Sequence, residues 1–267
     1  MANFDVLILG GGPAGYVCAI RSAQLGLTVG VIEREALGGT CVLWGCIPAK
    51  ALLESAGLAQ KLKAAAEHGI GLGEITLDYG AAMKRSRAVS SQNSKGVEFL
   101  FKKNKVTQIK GEGRITSPRT VVVKKGDGTE ETHTATKALV IATGSRVRGL
   151  PQAGLELNRT TVLSSDEVLV LEKAPKSMAV VGAGAVGCEF ADVFASYGTE
   201  VTLIEVAPRI LPLEDADCSA ELQRAFKKRK IDVVTGAKLT EAKVTDANVT
   251  LTFTENGQPR TITVDKV

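Results

Sequence analysis

Hydrophobic and polar residues change their spacing several times along the chain, and each change marks the expected start of a new element. Short apolar runs at 6–9 and 178–181 are typical of buried strands, and a glycine-rich turn and a helix-length segment follow each run. Segments from 48 to about 67 and from 79 to about 104 are rich in Ala, Leu and Lys, which predicts two helices. Alternation of this kind is typical of an α/β fold.

Between 105 and 141 the spacing becomes that of β-strands. The run 119–125 is rich in valine, a Gly126-Asp127-Gly128 turn follows, and a further apolar run ends at Ile141. We interpret this region as a β-meander inserted into the α/β pattern. A linker is expected over 149–175, which has prolines near both ends. The remaining pattern predicts a helix over 216–229 and strands at 231–234, 243–244 and 249–253.

A constant offset of 172 residues relates two segments of the chain, 6–33 and 178–205. The offset pairs Gly10 with Gly182, Gly12 with Gly184, Gly15 with Gly187, and Glu33 with Glu205. In each copy a strand runs into G-x-G-x-x-G and a helix, and a second strand ends in an acid. We therefore expect two Rossmann-like units, in which the glycines let the backbone approach a pyrophosphate and the acid bonds a ribose.

The segment from Gly38 to Lys50 reads GGTCVLWGCIPAK and carries two of the five cysteines. Cys41 and Cys46 are five residues apart and can close a small disulfide loop. Cys46 comes just before a predicted helix start at Pro48, where the helix dipole lowers a thiol pKa. Lys50 adds positive charge on the same side. Two buried free thiols are the alternative interpretation, and they leave the glycines, the helix start and the lysine unexplained.

The cysteine pair follows Glu33 by only eight residues, so it is expected beside the dinucleotide of the first unit. Nicotinamide moves hydride but does not readily reduce a disulfide, so a flavin is the natural intermediary. The first unit is therefore expected to bind FAD and the second a nicotinamide dinucleotide.

Composition and charge exclude several other functions. The 267 residues include 33 Lys and Arg against 29 Asp and Glu, with no basic block, so nucleic acid is not an expected partner. No apolar run approaches the ~20 residues of a membrane span, and the first residues lack a signal-peptide pattern, so a cytoplasmic protein is expected. With two histidines, His68 and His133, and no C-x2-C motif, no metal site is expected.

These motifs together resemble the FAD-dependent pyridine nucleotide–disulfide oxidoreductases. Besides GGTCVLWGCIPAK, the segments GVEFLFKKNKV (96–106), KGEGRI (110–115) and VIATGS (140–145) are similar to that family in order and spacing. The resemblance runs through the whole chain. Within the family it is strongest to the members that oxidise dihydrolipoamide.

The resemblance implies a role for each matching residue. FAD would be bound by Gly10, Gly12, Gly15, Glu33, Lys50, Gly113, Thr143, Gly144 and Ser145, and NAD by Gly182, Gly184, Gly187, Glu205 and Leu239. Cys41 would exchange with the thiol substrate, and Cys46 would lie nearest the flavin. Glu189 would pair with Lys50 near the flavin. Because a carboxylate at Glu205 repels a 2′-phosphate, NAD is expected rather than NADP.

The resemblance also implies the reaction and the partners. Electrons would pass from dihydrolipoamide, carried on the lipoyl domain of a 2-oxoacid dehydrogenase complex, through Cys41–Cys46 and FAD to NAD+. The full-length protein would be a homodimer. Members that reduce mercuric ion or oxidised glutathione are the alternative. Leu43 and Trp44 depart from the small or polar residues commonest in the family's disulfide loop, and Trp44 either packs there or reshapes the entrance for the thiol substrate.

The expected domains are an FAD-binding domain over 1–148, which includes the disulfide, and an NAD-binding domain over 149–267. Both are expected to be incomplete, because family members continue into a second FAD motif and a C-terminal dimerisation domain. That domain, which carries a His–Glu pair for the partner's site, is not represented here. Neither His68 nor His133 is placed to replace it. A dinucleotide-binding fragment without turnover is therefore a further alternative.

Overall fold

A computed structural model describes residues 2–267. The strands are β1 (Ala2–Leu9), β2 (Val29–Glu33), β3 (Thr107–Lys110), β4 (Glu112–Ser117), β5 (Thr120–Lys124), β6 (Glu130–Ile141), β7 (Ser177–Val181), β8 (Glu200–Ile204), β9 (Asp232–Val234), β10 (Leu239–Val244), β11 (Val249–Glu255) and β12 (Gln258–Val264). The α-helices are α1 (Pro13–Gln24), α2 (Gly39–Leu43), α3 (Cys46–Lys63), α4 (Tyr79–Lys103), α5 (Ser165–Val168), α6 (Ala185–Ser196) and α7 (Ala216–Lys228). Short 3₁₀ turns lie at Ala65–His68 and Pro151–Ala153.

The described residues form two compact units. The first contains residues up to 48 together with 87–146, and the second contains 49–86 together with 147–267. The sequence places a domain boundary after 148, but it assigns 49–86 to the first domain. These residues join the second unit because Leu52 of α3 and Tyr79 of α4 pack into its core, where the Tyr79 ring lies 5.2 Å from that of Phe194.

The first unit is built on a six-stranded sheet with the order β3-β2-β1-β6-β5-β4. β1, β2, β3 and the end of β6 are parallel, whereas β4, β5 and the start of β6 form an antiparallel meander. Alternate side chains of β1 face opposite ways. Ile8 packs with α1 and α4, and Leu7 packs with the meander. The predicted meander between 105 and 141 is therefore confirmed, and it covers one face of the sheet.

The second unit repeats this construction. β7, β8 and β9 form a parallel sheet, and β10, β11 and β12 form an antiparallel one. Leu203 of β8 packs on the helical side with Phe194, whereas Ile204 packs on the other side with Phe253 of the meander. The predicted α/β fold with two Rossmann-like units is thus confirmed. The predicted strands at 243–244 and 249–253 correspond to β10 and β11 of the second meander, whereas its third strand, β12, was not predicted.

The interval 149–175, expected to be a linker, contains a short helix with its own start signal. Ser164 caps α5, because its hydroxyl accepts from the Asp166 amide while the Glu167 carboxylate accepts from the Ser164 amide. Other predicted bounds lie within a few residues of the observed helices. The expected helix from 48 to about 67 begins earlier, at Cys46.

One segment, Gly39–Lys63, has the length and mean hydropathy, 1.3, of a membrane-spanning helix. This differs from the expectation that no apolar run is long enough. The segment is interrupted at Trp44 and Gly45, between α2 and α3. Of the apolar window in this segment, 33% is buried inside the protein, and Leu52 and Ala56 of α3 are fully buried.

His133 gives the first unit a predicted pH dependence. The residue is 6% exposed on β6, and its ring lies 6.1 Å from that of Phe4 at a tilt of 45°. Its Nε2 lies 3.5 Å from the Glu131 carboxylate, and neither ring nitrogen makes a hydrogen bond. Burial lowers the pKa of His133, although the nearby Glu131 carboxylate opposes the shift. In the unfolded chain His133 has the ordinary histidine pKa of about 6.5, so below this pH it is protonated more in the unfolded state than in the folded state. The free energy of unfolding therefore falls as the pH drops through that value.

We expect His133→Leu to flatten the pH dependence of stability between about pH 8 and pH 5. Urea unfolding across this range would measure it. His68, which is exposed, provides the matched control as His68→Ala, which should keep the wild-type slope. If the free energy of unfolding changed with pH equally in His133→Leu and in the wild type, the assignment of the pH dependence to His133 would be wrong.

Candidate dinucleotide and disulfide sites

The first glycine-rich loop joins β1 to α1 and is shaped by contacts that no side chain could tolerate. Gly10 has a φ of +108°, and a Cβ on Gly15 would lie 1.8 Å from the Gly10 carbonyl oxygen. Gly12 caps α1 without a side-chain hydrogen bond, and the first turn carries no acid. The first amides of α1 are thus free to bind an anion, as a dinucleotide pyrophosphate requires.

Glu33, at the end of β2, braces this loop. Its Oε2 accepts a hydrogen bond of 2.7 Å from the Gly11 amide, and its Oε1 accepts one of 2.9 Å from the Glu35 amide. Each carboxylate oxygen has a second lone pair, so the acid can also accept from ribose hydroxyls. The sequence predicts the ribose contact. The bonds to the loop backbone were not predicted.

The second loop, between β7 and α6, repeats these features. Gly182 has a φ of +104°, and a Cβ on Gly187 would lie 1.9 Å from the Gly182 carbonyl oxygen. Gly184 caps α6 without a side-chain bond. The Glu205 carboxylate, which is 8% exposed, accepts hydrogen bonds of 2.7 and 2.8 Å from the amides of Ala183 and Ala207. The 172-residue repeat therefore extends to individual hydrogen bonds.

The two loops differ in what covers them. At the first loop the Gly38 amide donates a 2.9 Å hydrogen bond to the Gly11 carbonyl, and a Cβ on Gly39 would lie 2.5 Å from the Gly12 Cα. A Cβ on Gly10 would meet the Ala142 carbonyl oxygen at 2.1 Å. At the second loop nothing lies within 4 Å of a Cβ added to Gly182 or Gly184. The disulfide segment thus begins directly against the first dinucleotide loop.

Cys41 and Cys46 form a disulfide, with their Cα atoms 4.6 Å apart, so the predicted pairing is confirmed. Cys41 lies in the short helix α2 and is half-buried, whereas Cys46 is the first residue of α3 and is exposed. A cysteine at a helix N-terminus is favoured as a thiolate. Among the described residues Cys18, Cys188 and Cys218 are free, and burial raises the pKa of Cys188 to about 11.

Lys50 lies on α3 one turn after Cys46, and its ammonium forms an ion pair with the Glu189 carboxylate of α6 within the second unit. The Lys50 side chain is 60% exposed and that of Glu189 is 23% exposed. The pair therefore keeps the lysine head group accessible while fixing its direction.

The remaining predicted site residues occupy different environments. Thr143, Gly144 and Ser145 follow β6, are exposed, and continue from the Ala142 backbone that touches the first loop. Gly113 lies in β4, where a Cβ would be 2.4 Å from a Leu9 methyl group, so packing of the sheet already requires this glycine. Leu239 starts β10 and packs with the core of the second unit.

Two features near these sites were not predicted from the sequence. Arg87 of α4 lies over the Trp44 ring, 4.6 Å from its centroid. A cavity of about 430 Å³ lies beside Gly182 and the end of β7, beyond the bridge that Met178 forms with Lys266 on the outer edge of this strand. Its apolar lining includes Val180 and Val181, with which no described strand pairs on that side, so the cavity belongs to an open sheet edge. No cluster of metal-ligating side chains occurs among residues 2–267.

The described residues thus combine two dinucleotide-type loops with a disulfide-bearing segment whose first glycines, Gly38 and Gly39, pack against the first loop. The model of the pyridine nucleotide-disulphide oxidoreductase family matches residues 4–267. The chain belongs to this family, whose members use FAD and a nicotinamide dinucleotide.

Curated relatives include the dihydrolipoyl dehydrogenases of Mycobacterium tuberculosis, 43% identical over 268 residues, and of Bacillus subtilis, 41% identical over 275 residues. The alignments cover 100% and 99% of this chain but 57% of each relative, so the chain spans little more than half their length.

Solved structures give the same coverage. LpdA from Mycobacterium tuberculosis has a TM-score of 0.86 at 28% identity, over 100% of this chain and 57% of that one. The HOCl-induced flavoprotein disulfide reductase RclA from Escherichia coli has a TM-score of 0.81 at 24% identity, over 100% and 56%, and supports the fold alone.

We expect Gly15→Ala to destabilise the chain by about 1–3 kcal/mol, because the new methyl group would overlap the Gly10 carbonyl oxygen. Urea unfolding with tryptophan fluorescence would measure the change. The matched control is Gly57→Ala in α3, where nothing lies within 4 Å of the added methyl and helix propensity should give up to about 1 kcal/mol of stabilisation. Equal effects of the two substitutions would refute the close-contact explanation.

Proposed function

We propose that this chain supplies the dinucleotide-binding and disulfide portion of a dihydrolipoyl dehydrogenase, which transfers electrons from dihydrolipoamide to NAD+. The observation that carries the proposal is the direct contact of Gly38 and Gly39 with the first dinucleotide loop. It ties the disulfide to the place where a dinucleotide would bind. The identity to dihydrolipoyl dehydrogenases over the whole chain supports the choice of substrate.

The first unit fits FAD. Uncapped amides at the start of α1 would hold the pyrophosphate, the Glu33 carboxylate would hold the ribose, and the exposed backbone at Thr143–Ser145 would border the same loop. These groups lie at the carboxyl ends of β1, β2 and β6, where the sheet order changes direction and α/β proteins bind nucleotides. FAD, when bound, supplies a two-electron relay between a dithiol and a nicotinamide.

The cysteines would carry out thiol–disulfide exchange. A substrate thiolate attacks the Cys41 sulfur, the Cys41–Cys46 bond breaks, and Cys46 leaves as a thiolate. The second thiol of the substrate then loses its proton and attacks the substrate sulfur that is bonded to Cys41. This closes the substrate disulfide and releases Cys41 as a thiolate. Lipoamide leaves oxidised, and the cysteine pair holds the two electrons. The start of α3 stabilises the Cys46 thiolate.

Lys50 and Glu189 would fix positive charge on the flavin side. The ion pair restrains the Lys50 ammonium, and its 60% exposed side chain leaves the other donors free for an acceptor. We assign Lys50 to flavin binding and Glu189 to its orientation.

The second unit fits NAD rather than NADP. The Glu205 carboxylate would accept hydrogen bonds from a ribose diol and would repel a 2′-phosphate. Arg209, the nearby cation, is engaged elsewhere, because its Nη2 donates to the carbonyls of Pro212 and Glu214 at 3.1 and 2.9 Å.

The proposal also includes the partners and the compartment. The lipoyl domain of a 2-oxoacid dehydrogenase complex would present the substrate, and the full-length protein would be a homodimer in the cytoplasm. Three free cysteines beside one reducible pair support a reducing compartment.

The decisive experiment is an anaerobic titration of the full-length protein with dihydrolipoamide and then NAD+, followed by its visible spectrum. We expect bound flavin, reduction by dihydrolipoamide, and reoxidation by NAD+. Faster turnover with oxidised glutathione or mercuric ion would favour another member of the family. Absence of flavin would contradict the proposal. If the 267-residue chain binds dinucleotides without turnover, it acts as a binding portion of the larger enzyme.

Cys41→Ser and Cys46→Ser should each abolish reduction of the flavin by dihydrolipoamide, since either change removes the exchangeable disulfide. Stopped-flow absorbance would measure the loss. Cys218→Ser is the matched control, because Cys218 is a free, exposed thiol, and it should leave the rate unchanged. Retained reduction in either disulfide variant would contradict the electron route.

Glu205→Ala should weaken NAD+ binding by about tenfold, through loss of charged hydrogen bonds to the ribose, and weaken NADP+ binding less. The ratio of the two affinities, measured by calorimetry, separates coenzyme selection from general loosening of the loop. Arg209→Ala should leave that ratio unchanged, because Arg209 is already bonded to its own turn. If Arg209→Ala lowered the affinity for NADP+ relative to that for NAD+, Arg209 would take part in coenzyme selection, and the assignment of this role to Glu205 alone would be wrong.

A further inference from the structure

One face of α4 supplies side-chain donors to the backbone around the disulfide. Arg87, Ser90 and Ser94 are spaced three and four residues apart and therefore share a face of the helix. They donate hydrogen bonds of 2.5, 2.6 and 2.6 Å to the carbonyl oxygens of Leu43, Val42 and Leu37 respectively. All of these residues belong to the first unit.

Two of these carbonyls, those of Val42 and Leu43, need partners because they lie at the end of the five-residue helix α2, whereas Leu37 lies just before that helix. The last carbonyl groups of a helix receive no hydrogen bond from an amide of the same helix. Val42 and Leu43 are the last two residues of α2, so their carbonyls need donors from elsewhere. Ser90 is fully buried and Ser94 is 6% exposed, so water does not compete for these bonds. Donors from α4 therefore replace a local cap and hold the segment from outside.

Arg87 makes a second contact that the serines cannot make. Its guanidinium lies 4.6 Å from the centroid of the Trp44 ring, and Trp44 is one of the four residues between the two cysteines. A planar cation on an aromatic face, with a hydrogen bond to the preceding carbonyl, restrains both the side chain and the backbone of the loop.

We propose that Arg87 is a positioning residue that keeps the Cys41–Cys46 loop closed when the pair is reduced. The disulfide itself restrains the loop in the oxidised protein, so the Arg87 contacts matter most after the bond has broken. By limiting the freedom of the dithiol they lower the entropy cost of closing the loop again, which favours disulfide formation. This inference rests on the proposed redox function of the pair.

The test is the equilibrium of the pair with reduced and oxidised dithiothreitol. In that reaction the Cys41–Cys46 bond gains two electrons and two protons as the dithiol reagent closes its own disulfide. Acid quenching, alkylation and mass analysis of the peptide with both cysteines give the reduced fraction. We expect Arg87→Met to become half-reduced at a reagent ratio about tenfold less reducing than the wild type requires.

Arg85→Met is the matched control. Arg85 lies on the same helix and also donates to a backbone carbonyl, that of Ala51 at 2.9 Å, which is outside the disulfide loop. If Arg87 only stabilised the fold, Arg87→Met and Arg85→Met would lower the unfolding temperature by similar amounts. Both variants would then keep the redox midpoint of the wild type. A selective shift in the Arg87 variant supports the proposal, and equal midpoints in the two variants overturn it.

Trp44→Leu provides a second route if Arg87→Met does not fold. It removes the stacking partner from the loop side and should shift the midpoint in the same direction. In the double variant Arg87→Met/Trp44→Leu the shift of the midpoint should be smaller than the sum of the two single shifts, because each substitution removes the same contact between Arg87 and Trp44. Full additivity would overturn the role of the stack. A wild-type pair that no dithiothreitol ratio reduces would instead contradict the proposed function.

Discussion

The hydrogen bond from the Gly38 amide to the Gly11 carbonyl is the contact on which the proposed electron route depends. It seats the disulfide segment on the first dinucleotide loop, and the approach of Gly39 to Gly12 leaves no room for a side chain between them. A side chain at position 39 is therefore excluded, because a Cβ there would lie 2.5 Å from the Gly12 Cα. An isolated dinucleotide loop binds a cofactor, whereas this arrangement also places a disulfide beside it.

The second unit serves as an internal comparison for the first. Both have a parallel sheet, helices on one side and an antiparallel meander on the other, and both use an acid to brace the loop. They differ where the first loop is covered by residues 38–39 and 142–143. The repeat thus corresponds to the proposed dinucleotide binding, and the departure from it corresponds to the proposed redox chemistry.

The sequence predicts the features that depend on local pattern. The glycine spacing, the strand-ending acids and the cysteine pair are visible because each requires particular residues at short, regular distances. The assignment of 49–86 to the second unit was not predictable in this way, because it depends on packing between Tyr79 and Phe194, which are far apart in sequence. The helix face of Arg87, Ser90 and Ser94 was missed for the same reason. Its partners are backbone carbonyls, which leave no trace in the sequence.

The bonds made by Glu33 and Glu205 have a consequence for the evolution of coenzyme choice. Each acid holds the backbone of the loop that it serves, so its replacement alters the shape of the phosphate cradle as well as the contact with the ribose. A lineage that acquires a different coenzyme must therefore find new acceptors for those amides at the same time. Selection on the cradle then preserves the acid even where the ribose contact alone would allow it to drift.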